Sequence, residues 1–132
     1  MSILNIDVSQ VKEPSPVPDG EYPVRILSVP EVKQSGNTGQ SYISVRLEVV
    51  GEAGAQDVYD IIMLPAEGQT PESNEKRKLR LKRFCDAFGI SYEGGQIDLA
   101  SAEGLDAIAI LSVENDPEYG ERNRVRRYRQ AM

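Results

Sequence analysis

The sequence has no histidine and a single cysteine among its 132 residues. The first absence removes the commonest general base, proton shuttle and imidazole ligand together. Nucleophilic sites of the Ser/His/Asp or Cys/His kind are thereby excluded. With Cys85 alone, no internal disulfide can form and a zinc site has no ligand set. A lone thiol fits a reducing compartment best. No apolar run approaches the roughly 18 residues that span a bilayer. The opening MSILNIDVSQ lacks the basic and apolar regions of a secretion signal. A soluble, cytoplasmic protein with no membrane partner is expected.

Other routes to chemistry are equally thin. The loop QSGNTGQ (34–40) lacks the spacing and the lysine of a phosphate-binding loop, and it precedes a strand rather than a helix. Asp57 and Asp60 could in principle hold Mg²⁺, but their odd spacing along a strand sends the two carboxylates to opposite faces. No catalytic residue, metal or cofactor is expected, and an enzyme is improbable on this inventory.

What is present is charge, unevenly spread. The net charge is −6, which by itself argues against a polyanionic partner. Yet of 15 lysines and arginines, 11 fall in two acid-free segments, KRKLRLKR (76–83) and RNRVRRYR (122–129). A polyanion binds a local patch rather than the far field, so the clustering outweighs the sum.

A chain of 132 residues makes one domain able to bury a core without staples. Residues 1–20 read as an apolar arm followed by the proline-rich connector EPSPVPDG, and 21–132 as the folded unit. YPVRILSVPEVK (22–33) reads as a first strand bent or bulged at Pro30. YISVRLEVV (42–50) alternates, with Ile43, Val45, Leu47 and Val49 on one side and Tyr42, Ser44, Arg46 and Glu48 on the other. QDVYDIIML (56–64) is apolar enough to suggest a strand buried on much of both faces. A helix then begins at Ser73 or Asn74 and stops at Gly89, with Leu81, Phe84, Cys85 and Phe88 as its apolar stripe. Strands through 105–114 and 122–130 complete the chain. Three strands, a helix and two strands give the order of a five-stranded antiparallel OB-like barrel.

In such a barrel, ligands lie across strands two and three, between the loops joining strands one to two and four to five. Lys33, Tyr42, Arg46, Tyr59 and Tyr119 fall in those places. On a regular last strand, Arg122, Arg124, Arg126 and Tyr128 share one face. Rings on which bases stack and guanidiniums that fork onto phosphates are what a single nucleic-acid strand requires. The competing structural roles are ordinary: tyrosines closing a barrel rim, and arginines guarding a sheet edge. The basic face of the helix is most simply a solvated surface. RNA offers the same bases and phosphates, so either nucleic acid meets these requirements.

The stretch from PVPDGEYPVRI through the SGN loop and the L-x-V-x-G strand, with a helix ending LKRFCDAFGI, resembles a family of small phage-encoded proteins long catalogued as of unknown function. The resemblance runs from Val17 to about Val125. It implies an OB-like fold, a host-cytoplasmic location and a non-catalytic single-stranded-DNA-binding role beside phage or host replication and recombination proteins. A protein-interaction or virion-assembly module on the same barrel is the alternative. The apolar arm hints at a homo-oligomer.

Overall fold

The computed structural model describes residues 2–131. Its six strands are β1 (Gly20–Ile26), β2 (Glu31–Gln34), β3 (Ser41–Val49), β4 (Val58–Met63), β5 (Asp106–Asp116) and β6 (Gly120–Arg129). One long helix, α1 (Pro71–Phe88), joins β4 to β5, followed by two short 3₁₀ turns. All strand pairings are antiparallel, in the order β2-β3-β1-β5-β6, and β4 lies on the other edge of β3.

The architecture is mainly β with one helix, as the sequence suggests, but it differs in two respects. The segment 22–33 is two strands, not one. From Ile26 to Glu31 the chain takes five steps while β3 takes three, from Leu47 back to Ser44. Two residues must therefore loop out, and they do so around Ser28–Pro30, where proline lacks the N–H a ladder needs.

The second difference is that the sheet is not closed into a barrel. Among the described residues no ladder joins β4 to β6. Side chains hold the seam instead. Asp60 of β4 accepts from Tyr128 Oη of β6 at 2.6 Å and from Arg80 Nη2 of α1 at 2.8 Å. Arg80 also donates to the Ile61 carbonyl at 3.4 Å, so the helix supplies polar contacts along this edge of β4.

The core follows the alternation of β3: Ile43, Val45, Leu47 and Val49 are all buried. Opposite them, Val24 and Ile26 of β1 and Ala107, Ala109 and Leu111 of β5 face inward. β4 departs from its expected burial on both faces. Val58, Asp60 and Ile62 point in, while Tyr59 and Ile61 stand 58% and 56% exposed. The apolar composition of this strand thus serves its outer surface as well as the core.

Helix α1 starts earlier than Ser73. Thr70 is the N-cap, its hydroxyl accepting from Ser73 N–H at 3.1 Å, and Pro71 takes the first helical position, where a missing N–H is harmless. Asn74 instead closes the preceding loop through both its amide atoms to Ala66. The helix ends at Gly89, whose φ of 76° is the left-handed cap that glycine adopts without strain. Phe84, Cys85 and Phe88 are buried as the stripe requires, and burial raises the Cys85 thiol above its ordinary value.

The connector is tied to the sheet. Ser15 bridges Ala55, and buried Asn123 holds Val17 by accepting from its N–H and donating to its carbonyl, both at 2.9 Å. Before it, Ile3, Leu4, Ile6, Val8 and Val11 are 69–81% exposed. Among the described residues no helix is long and apolar enough to cross a membrane.

Candidate functional site

Strand register decides which side chains share the outer face of β2, β3 and β4. Residues directly opposite one another point the same way. Lys33, Tyr42 and Met63 form one cross-strand row, Glu31, Ser44 and Ile61 the next, and Arg46 and Tyr59 a third. The alternation of β3 therefore delivers its Tyr/Ser/Arg face to one surface, together with the exposed ring of Tyr59.

Tyr59 is the hub of that surface, for three hollows meet at it. The first holds Lys33, Ser44 and Arg46. The second, about 490 Å³, follows the unlaced seam, with Tyr59, Ile61 and Met63 on one wall, Arg122 and Arg124 on the other, and Lys76, Arg77 and Arg80 of α1 along its length. The third runs beneath the β5–β6 turn past Tyr119 and Arg122. Tyr119 is 72% exposed, at the tip of that turn. The turn is fixed by Asp116, whose carboxylate accepts the N–H groups of Glu118 and Tyr119, which hold it below the usual carboxylate range.

Several of these cations are partly neutralised in place. Arg46 donates Nε and Nη2 to Asp57 at 2.9 and 2.6 Å, and its guanidinium lies 5.9 Å from the centre of the Tyr59 ring. Hydrogen bonding to Asp57, then the Tyr59 phenol, raises the Arg46 value further. Arg122 pairs with Asp116 at 3.2 Å, and Arg124 approaches Glu114 at 3.9 Å. Even so, the seam hollow is lined by five cationic side chains against two carboxylates, Asp60 and Glu114.

The sequence-predicted residues divide accordingly. Lys33, Arg46, Tyr59, Tyr119, Arg122 and Arg124 come together around the hub. Tyr42 lies on the same face, half-buried beside Lys33 and Met63, and lines none of the three hollows.

Arg126 and Tyr128 do not join the row of Arg122 and Arg124. Leu111 faces Val125 while its neighbour Ile110 faces Arg127, so Arg126 is a bulge without a ladder partner. The bulge reverses the alternation. Tyr128 turns inward against Phe84 and Phe88, with ring centres at 5.7 and 5.2 Å. Burial first, and then the Asp60 charge, push its phenol well above the ordinary value. The ring therefore packs against α1, half-buried, instead of standing in the row of Arg122 and Arg124. Arg126 instead donates Nε to Ser112 Oγ at 2.7 Å and opens onto a separate hollow against α1.

Sequence reasoning missed Ile61, Met63, Lys76, Arg77 and Arg80. The helix residues were present as a basic run, but their spacing alone could not show that half of that face borders the β4–β6 seam. Asp57 and Asp60 do separate, Asp57 to Arg46 on the outside and Asp60 to the interior. Among the described residues no group of three or more His, Cys, Asp or Glu is placed to hold a metal ion.

No curated protein matches the chain. A family model does match, over residues 4–110, which include most of the arm and every element up to the middle of β5 but not β6. The chain belongs to that family, described as proteins of unknown function (DUF669).

Proposed function

We propose that this protein binds single-stranded DNA with little regard to sequence, without catalysis, in phage replication or recombination. One observation carries the reading: Tyr59 stands exposed where three hollows meet, with Arg46 beside its ring and Arg122 across the seam. Bases stack on Tyr59 and Tyr119, while phosphates pass Lys33, Arg46, Arg122 and Arg124. The strand order and the helix between β4 and β5 suit an OB-like sheet left open at one seam, a class that takes single strands across the corresponding face. Exposed rings and a cationic groove give affinity without base readout, because every base has a stackable face.

Titration of fluorescent oligothymidine at two salt concentrations tests this. Affinity falls with salt by a slope of about −0.7 per phosphate contact. Tyr59→Ala loses about 1–3 kcal/mol, the ordinary worth of one stacked base. Absence of binding at low salt ends the proposal. The alternative, a protein-interaction or virion-assembly module, binds an acidic protein surface through the arginine-rich last strand, where Arg122 and Arg124 stand exposed; it predicts no oligonucleotide binding and capture of an acidic protein partner that is lost when Arg122 and Arg124 are replaced by Gln.

A further inference from the structure

The cations nearest the hub are not the least neutralised ones. On the other side of Arg80, a separate hollow lies between α1 and the end of β6, lined by Lys76, Arg80, Arg83, Arg126 and Arg127 with Leu79 and Tyr128. No carboxylate lines it. Among the described residues, Lys76, Arg83, Arg126 and Arg127 form no ion pair, whereas Arg46, Arg122 and Arg124 each have an acidic partner. The carboxylate of Glu21 goes to Arg129 rather than Arg127. Unpaired like charges held close together repel, and in a folded protein that cost is offset when an anion binds between them.

The hollow also adjoins the seam, because Lys76 and Arg80 line both. The bulge at Arg126 is what builds it. By shifting the phase of β6, it turns Tyr128 inward as the floor and leaves Arg126 and Arg127 both exposed at the rim.

We infer that the α1–β6 hollow is a second phosphate-binding site, which takes the phosphodiester backbone of a single DNA strand as it leaves the seam. This rests on the DNA-binding reading above and extends it: the strand turns from the stacking surface onto the helix, held there by charge alone. Contacts in this hollow carry no base preference, since guanidinium forks read phosphates rather than base edges.

The test uses oligothymidines of about 5 and about 15 nucleotides, near the two ends of the range a single fold of this class covers. In the doubly substituted Arg83→Gln, Arg127→Gln protein, affinity for the longer strand falls about tenfold. Its salt slope shrinks by about 1.4, two contacts at about 0.7 each. The shorter strand, seated at Tyr59, binds within about twofold of wild type. Lys78→Gln with Lys82→Gln removes the same charge from another face of α1, beside Tyr92, and leaves both affinities in place. Unchanged binding of the longer strand, equal loss for both lengths, or an equal effect of the Lys78/Lys82 pair overturns the second site while leaving the first intact. Failure of the wild-type protein to bind either strand removes the DNA reading and this site with it.

Discussion

The two halves of β6 are similar in composition and opposite in outcome. In residues 122–125, RNRV, strict alternation holds: Asn123 and Val125 are buried, while Arg122 and Arg124 stand outside near Asp116 and Glu114. In residues 126–129, RRYR, the phase reverses at Arg126. Unbroken alternation would have put Tyr128 in water and driven Arg127 and Arg129 into the core. A buried guanidinium without a partner costs several kcal/mol or more, far above the cost of one unpaired bulge residue. The comparison shows that β6 obeys burial rather than period, and that its arginines owe their positions to the tyrosine among them.

Three substitutions sharpen that contrast. Tyr128→Ala has the largest expected effect. It empties the space against Phe84 and Phe88 and strips Asp60 of a donor, at a cost of about 3–5 kcal/mol. A urea midpoint equal to wild type would mean that the second half of β6 is not part of the core.

Asn123→Ala tests the first half. It removes the side chain that holds Val17 and leaves the connector's N–H and carbonyl without partners, a loss of about 1–3 kcal/mol. The drop should be accompanied by faster amide exchange at Val17, and unchanged exchange there would show that the connector is held by something else.

The third effect depends on pH. The Tyr128 phenol is raised in the folded protein, so the unfolded chain ionises first as pH climbs past about 10. The stability this group contributes is whole below that value and declines above it, by up to about 1.4 kcal/mol per pH unit. Tyr128→Phe removes the ionisation, so its unfolding midpoint should fall less steeply than that of wild type between pH 10 and 11. Parallel curves would place the phenol in water.

Much of this was legible in the residues. The alternation of β3 and the stripe and terminal glycine of α1 are periodic or local signals, and each lies where its pattern puts it. The break near Pro30 follows from a missing N–H. Of the site, Lys33, Arg46 and Tyr59 could be brought together from strand positions alone. The helix start is displaced from Ser73 or Asn74 to the cap at Thr70 and Pro71, a local signal as well. The remainder depended on contacts distant in sequence. A bulge at Arg126 leaves no trace in composition, because its cause is the pair of phenylalanines on α1 that Tyr128 meets. For the same reason Asp60, an acid in an apolar strand, could not be recognised as the acceptor that binds the seam together. The position of the helix cations beside the seam likewise follows from how α1 packs, not from their spacing.

The arm before the connector has a practical consequence for handling the molecule. Residues 2–13 are exposed, and ties to the rest of the fold begin at Pro14, whose carbonyl accepts from Gln56 Nε2, and at Ser15. Such unprotected termini are where proteases cut first. Trypsin should therefore cleave after Lys12 before it reaches any lysine or arginine held in a strand. The fragment released would carry away the five exposed aliphatic side chains of the arm, and the trimmed remainder, still fastened through Ser15 and Val17, should melt at the temperature of the intact chain.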